Sequence, residues 1–391
     1  MRMRSLLGLA ALLVLPLALA RAQDKPAESP SDAEVKLERN PDAEFPQRQE
    51  KGPGSAEYAH KEVEVAEAGE GGKHYWLYTP SEPRPEKAPL VCFLHGYGAL
   101  KPVPYIGWIH HICRRGNIVV YPQYQEHGLE PPLNYALNCA HAVIEAIKWL
   151  KEDKARVQPR EADFALVGHS AGGLTTGNLA ADWETLKIPR PKAAMPVQPG
   201  RSFSYTTDSQ KNKGLVPLSE YAKIPETCLL LCAIGDSDTT VGHWCARRIF
   251  ADATNVKPEN KNLVVVRSTT HAAQPAIAHH QCPAAPKGVD DFKDWYGWWK
   301  LFDGLCDAAF HGKNREYALG NTPQQRFMGK CSDGRPATEI KVTPGDAKVD
   351  ADEEYLPAFH RDGTPFKPGD NPRRPRRPAP DEAKPEEKEE G

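Results

Sequence analysis

The sequence predicts an α/β fold: a mostly parallel central sheet flanked by helices, with disordered N- and C-terminal extensions. Three observations predict it. Short apolar, β-branched runs alternate with stretches of helical periodicity through the middle of the chain. The pentapeptide Gly168-His169-Ser170-Ala171-Gly172 joins one apolar run to a stretch of small residues that suits a helix. Acid and histidine residues stand just past the ends of two later runs, at the edge where open α/β sheets place their sites.

The chain opens Met1-Arg2-Met3-Arg4, continues with an apolar run from Leu6 to Ala20, and reaches Ala20-Arg21-Ala22 before Gln23. A basic start, a short apolar middle and a small-residue site predict a secretory signal peptide over residues 1–22. The expected localisation is therefore secreted, periplasmic or cell envelope. That run is too short for a stable spanning helix, and no later segment reaches about 18 uninterrupted apolar residues. No stable membrane insertion is expected after cleavage. Residues 23–54 are rich in Pro, Glu, Asp and Lys and bury too little surface to offset the entropy of ordering. They are expected to be a disordered leader. Residues 55–332 are expected to be a single domain.

Within that domain, Glu62-Val63-Glu64-Val65 and the aromatic stretch His74–Tyr78 predict antiparallel edge strands. Residues 89–94 read as a buried strand followed by His95-Gly96-Tyr97-Gly98. Another strand at 117–121 stops at Pro122. Apolar residues recur at three and four from Leu133 to Leu150, which predicts the clearest helix. A strand at 163–167 leads into the pentapeptide, and a central strand is expected at 192–197. Residues 200–226 show no periodicity and are expected as an insertion at the place of a cap. A buried strand at 227–234 ends in Gly235-Asp236-Ser237-Asp238-Thr239-Thr240-Val241, and a β-branched one at 263–266 ends in Ser268-Thr269-Thr270-His271. Helices are predicted at 244–253 and 290–310. Residues 333–391, polar, proline-rich and first basic then acidic, are expected to be a disordered tail.

The pentapeptide matches G-x-S-x-G in the strand–turn–helix context that makes a serine a nucleophile elbow. Glycine on both sides lets the backbone take a strained turn without a Cβ clash. Ser170 is therefore the candidate nucleophile. Two aspartates, Asp236 and Asp238, compete for the acid, and His271 is the candidate base. The other histidines are given structural parts: His169 beside the nucleophile but pointing away from its hydroxyl, His95 as a loop brace, and the pairs His110-His111 and His279-His280 as loop or helix-end residues. Tyr97, Trp108 and Trp244 are candidate substrate-binding aromatics, with a core position the competing reading for such bulky rings.

His95-Gly96-Tyr97, the pentapeptide, the Gly235–Val241 turn and Thr270-His271 together resemble the α/β-hydrolases, nearest the secreted esterase, cutinase and dienelactone-hydrolase-like branch. The resemblance implies the α/β-hydrolase fold over about residues 56–332 and a Ser-His-Asp triad. It also implies an oxyanion hole of the Tyr97 and Ala171 backbone N–H groups. Relatives with a G-x-x-D-x-x-V-like turn use the later acid, which maps to Asp238. The function implied is a secreted serine hydrolase that cleaves a small or polymeric carboxylic ester through an acyl-enzyme. The alternatives are a serine peptidase or acyltransferase on the same scaffold, and a catalytically inactive binding module. No cofactor or metal is expected.

The net charge of −2 gives no reason to propose nucleic acid as a partner. Nine cysteines in an exported chain predict some disulfides and at least one free thiol. Cys228 and Cys232 sit about 13 Å apart along one strand and cannot pair with each other. A Cys306–Cys331 clasp is the expected bridge, while Cys92, Cys139 and Cys232 suit buried apolar positions. No C-x-x-C pair or zinc-like His/Cys spacing occurs.

Overall fold

The structure, a computed structural model, describes residues 38–126, 130–201, 215–285 and 289–367. The expected signal peptide, the leader through residue 37, the middle of the 200–226 insertion and the tail from residue 368 lie outside the described residues.

The strands, in chain order, are β1 (Glu62–Ala68), β2 (Tyr75–Ser81), β3 (Lys87–Leu94), β4 (Ile118–Pro122), β5 (Gln158–His169), β6 (Pro191–Val197), β7 (Leu229–Gly235), β8 (Lys261–Val266) and β9 (Lys341–Pro344). They form one sheet in the order β1-β2-β4-β3-β5-β6-β7-β8-β9. The run from β4 to β8 across the sheet is parallel. β1 and β2 add antiparallel at one edge and β9 at the other. The helices are α1 (Ile106–Arg114), α2 (Tyr135–Glu152), α3 (Ala171–Asp182), α4 (Trp244–Asp252), α5 (Lys300–His311) and the short α6 (Pro323–Arg326).

The unbroken apolar runs follow from this layering. In β3, Leu90, Cys92 and Leu94 join an apolar cluster with residues of α2, α3 and α4, whereas Val91 and Phe93 join a second with residues of α1 and α5. The same alternation runs through β5, with Phe164 and Leu166 on one side and Ala165 and Val167 on the other. Successive strand residues point to opposite faces. A sheet covered by helices on both faces must therefore be apolar at every position. Each fully buried large aliphatic side chain contributes about 1.5–3 kcal/mol. On α2 the apolar stripe is wider than the buried face: Val143, Ala146 and Leu150 are inside, while Leu133, just before the helix, and Leu137 and Ile144 on it are exposed.

Both domain boundaries differ from expectation. Residues 39–54 are not loose leader. The Asn40 amide donates to the His271 carbonyl at 2.9 Å, the Ala273 amide to the Ala43 carbonyl at 2.9 Å, and the Gly54 amide to Asp303 at 2.7 Å. Arg48 donates to the Gly54 and Ser55 carbonyls and lies over the Trp299 ring. At the other end, β9 extends the sheet, and a strap beyond it crosses the turn after β7. Tyr355 Oη donates to the Gly235 carbonyl, the Ala358 amide to the Asp236 carbonyl and the Phe359 amide to Ser237 Oγ.

All nine cysteines are free thiols in the structure. Cys306 packs with α5 in one apolar cluster and Cys331 beside Ala43 and Ala272 in another, so the expected clasp is not formed. Among the described residues no helix is long and apolar enough to cross a membrane.

Candidate active site

Ser170 stands between β5 and α3 at φ 58°, ψ −121°. A non-glycine residue there carries strain of about 1–3 kcal/mol, held by its surroundings. The surroundings are visible. The Ser170 amide donates to the Val197 carbonyl at 3.0 Å, and the Ser170 carbonyl accepts from the amides of Leu174 and Gly200 at 3.1 and 3.0 Å. The flanking glycines are obligatory for space. A Cβ on Gly168 would lie 2.5 Å from the Gly172 carbonyl oxygen, and one on Gly172 would lie 2.3 Å from the carbonyl oxygen of His95.

The histidine that meets Ser170 is His280, not His271. His280 Nδ1 lies 2.7 Å from Asp238 Oδ2, and His280 Nε2 lies 2.9 Å from Ser170 Oγ. A carboxylate accepts, so Nδ1 carries the hydrogen and bare Nε2 accepts from the serine hydroxyl. Asp238 Oδ1 accepts from the amides of Thr240 and Val241, each at 2.9 Å. Burial pushes the Asp238 carboxyl up, but the hydrogen bond and charge of His280 and those two amides outweigh it and hold it below the ordinary value. All three residues are buried.

His271 is carried elsewhere by the loop after β8. The Ser268 amide and hydroxyl both donate to Asp236, and Thr269 pairs with Ala276 in an antiparallel bridge. The intervening hairpin turns His271 toward the N-terminal segment. Its carbonyl there accepts from Asn40 and from Arg335 Nη2 at 2.9 Å. The chain returns at Ala278 and presents His280. The adjacent pair His279-His280 looks unsuited to sharing one metal, but a base requires only one of two neighbours to face the nucleophile. That distinction is the signal in the sequence that would have found it.

The Chlorophyllase family model matches residues 51–207, which cover β1 through β6 and the elbow. No curated protein matches the chain. The chain is a member of the α/β-hydrolase superfamily. At the level of reaction class it is an ester hydrolase. The match stops before Asp238 and His280, so for this hydrolase those two rest on geometry alone.

The turn after β3 lies against the elbow of the hydrolase. A Cβ on Gly96 would sit 3.4 Å from Ser170 Cβ, so the turn just before Tyr97 packs against the serine, and Ala171 follows the serine as the first residue of α3. The Gly98 amide donates to Gln125 Oε1 at 2.9 Å, and Gln125 Nε2 donates to Tyr135 Oη, which braces the turn from α2. His95 braces it from below, with one ring nitrogen 2.6 Å from the Gly96 carbonyl and the other 2.6 Å from that of Gln123. Burial pushes His95 down to about 4, although both carbonyls favour its charged form.

Asp236 does not reach His280. Its Oδ1 accepts from the hydroxyls of Ser237 and Ser268, and its Oδ2 from the Ser268 amide at 2.7 Å. Burial raises its carboxyl despite those hydroxyls. It ties the turn after β7 to the loop after β8, and Ser268 Oγ in turn accepts from the Ala278 amide at 2.9 Å.

The aromatics fare differently. Tyr97 is half-exposed. Trp108 is a core residue, 2% exposed, set edge-on against Phe93 and Phe302, so it lines no substrate wall. Trp244 opens α4, and its indole N–H donates to Asp352 of the C-terminal strap at 2.7 Å. That contact ties α4 to the strap. Among the described residues no group of three or more His, Cys, Asp or Glu side chains is arranged to hold a metal.

Proposed function

We propose that this hydrolase cleaves a carboxylic ester with Ser170 as nucleophile, His280 as base and Asp238 as the acid that orients it. The observation that carries the reading is the unbroken hydrogen-bonded chain Asp238–His280–Ser170, at 2.7 and 2.9 Å. A serine hydroxyl is a weak nucleophile at neutral pH and needs an adjacent base. His280 Nε2 removes its proton as Oγ attacks the ester carbonyl. Asp238 keeps the hydrogen on Nδ1 and stabilises the imidazolium that forms. The negative charge on the former carbonyl oxygen is met by the backbone N–H groups of Tyr97 and Ala171, each such donor supplying about 3 kcal/mol. The N-terminal dipole of α3 adds to that field. His280 then returns the proton to the leaving alcohol. Water then attacks the acyl carbonyl and gives its proton to His280, which passes it to Ser170 Oγ as the acid leaves, so a single imidazole carries every proton in the cycle.

The basic-then-apolar opening through Ala22 supports an exported enzyme acting outside the cytoplasm or in the cell envelope on a small or polymeric ester. Turnover of p-nitrophenyl acetate and butyrate, with and without a serine-directed phosphonate, tests the chemistry. Mass spectrometry should find the phosphonate on Ser170, and Ser170→Ala should be inert. Full turnover by Ser170→Ala removes the serine from the reaction.

A further inference from the structure

β8 ends at Val266, yet the base stands at His280, so the base is held by loop contacts rather than by its strand. Two side chains grip consecutive carbonyls of that loop. Gln198 Nε2 donates to the His279 carbonyl at 3.2 Å, and His169 Nε2 lies 2.8 Å from that of His280. Gln198 follows β6 at φ 43° and is fully buried. His169 is the residue immediately before the nucleophile.

The other nitrogen of His169 leads to the opposite wall of the site. His169 Nδ1 lies 2.8 Å from Tyr105 Oη, and Tyr105 Oη accepts from the Gly96 amide at 3.0 Å. Along the line Gly96–Tyr105–His169–His280 one arrangement of hydrogens pairs each group, while the Gln198 side-chain oxygen itself stays without a partner. The Gly96 N–H can only donate, so the tyrosine hydrogen is left for His169. Nδ1 must then be bare, and Nε2 carries the hydrogen that the His280 carbonyl accepts. The chain thus runs from Gly96 through Tyr105 and His169 to the backbone of the base. The Ala285 amide, which donates to the Pro104 carbonyl at 2.8 Å, ties the same two loops a second time.

We infer that His169 is a positioning residue: with Tyr105 and Gln198 it clamps the loop bearing His280 to the turn bearing Gly96 and Tyr97, and so sets the distance between base and nucleophile. The inference rests on the reading of Ser170, His280 and Asp238 as the reacting groups. The clamp has to stay neutral while its neighbour is charged. The His169 and His280 rings are 4.7 Å apart, and burial, followed by the charge of His280, drives His169 down to about 3. An imidazolium at His280 therefore leaves the hydrogens of the clamp where they are. A histidine that merely fills space would require neither a fixed tautomer nor partners on two separate loops.

The experiment measures kcat and KM on p-nitrophenyl butyrate, with thermal denaturation, for His169→Phe, His169→Gln, Tyr105→Phe and His280→Ala. Misplacement of a reacting group by about 1 Å costs about a hundredfold in rate. His169→Phe, which keeps a ring and loses both contacts, should lower kcat by about that factor with KM changed less than about threefold. His169→Gln, whose amide can still donate toward the His280 carbonyl, should recover at least about tenfold of the loss. Tyr105→Phe should show the same split with a smaller fall. Full kcat in a folded His169→Phe, or no advantage of His169→Gln over it, overturns the clamp. If His169→Phe does not fold, full kcat in Tyr105→Phe overturns it instead. His280→Ala separates the two ideas: an active His280→Ala sinks the underlying chemistry, whereas an inert one beside a fully active His169→Phe sinks the clamp alone.

Discussion

Replacing Asp238 by asparagine should cost about 10⁴-fold in kcat, and the structure explains why an isosteric change does so much. Asp238 Oδ1 accepts two backbone hydrogens, from Thr240 and Val241, both at 2.9 Å. The asparagine carbonyl must take that place, because the flipped amide would face two N–H groups with its own. Each buried donor stranded by such a flip costs about 1–3 kcal/mol. The amide nitrogen is thereby forced into the position of Oδ2, 2.7 Å from His280 Nδ1, where it donates. His280 must then accept at Nδ1 and carry its hydrogen on Nε2. That hydrogen points at Ser170 Oγ and leaves no lone pair to receive the serine proton. Four decades of rate correspond to about 5 kcal/mol of barrier. The assay is kcat on p-nitrophenyl acetate, with phosphonate labelling to count folded sites. Asp236→Asn provides the contrast. Its partners are two hydroxyls and one amide, and the hydroxyls can reorient, so the loss should stay near tenfold and fall mainly on stability, by about 1–2 kcal/mol. The reasoning fails if Asp238→Asn retains more than about a tenth of wild-type kcat while Asp236→Asn loses most of it.

Three further outcomes are expected. His271→Ala should keep kcat within about threefold while His280→Ala loses about ten-thousandfold or more, because His280 lies 2.9 Å from the serine hydroxyl whereas the His271 backbone is held against Asn40 and Arg335; steady-state kinetics of the purified pair decides it. Gly172→Ala should cost about 3 kcal/mol or more, since its Cβ would meet the His95 and Leu94 carbonyl oxygens at 2.3 and 2.4 Å and backbone cannot step aside; an unchanged Tm would contradict that close approach. Stability should also fall in acid. His169 titrates near 6.5 when unfolded and is held down to about 3 in the fold. As the pH drops below 6.5 the unfolded chain takes up the proton first, so this contribution is full above about 6.5 and is lost on the way down to about 3. Between pH 7 and pH 5 the wild type should lose roughly 2 kcal/mol more than His169→Phe in urea denaturation, and parallel pH profiles for the two proteins would refute it.

What could be read from residues alone follows from how local its cause is. The apolar runs that become β3, β5, β7 and β8 announce themselves because both faces are buried and every position must be apolar. The elbow is equally local, since its glycines are demanded by contacts within a few residues and by the strand next door. The base is different. Whether His271 or His280 meets Ser170 depends on Ser268 binding Asp236, on the Thr269–Ala276 bridge and on the grip of Gln198 and His169, all contacts between distant parts of the chain. The stretches 39–54 and 341–366 hide for a related reason. They are held mostly by backbone hydrogen bonds and by scattered anchors such as Ala43 and Tyr355, which leave no periodic trace. Composition marks them as polar and proline-rich, and composition does not report where an amide finds its acceptor.

The strap that crosses the turn after β7 has a consequence for biosynthesis. Its contacts to Gly235, Asp236 and Ser237 come from residues 355–359, made long after Ser170, Asp238 and His280 have left the ribosome. A chain ending just beyond His280 already holds Ser170, Asp238 and His280, yet the turn after β7 still lacks these outer ties. The bend is therefore completed only when the C-terminal part of the polypeptide is present and closes over a segment laid down some 120 residues earlier.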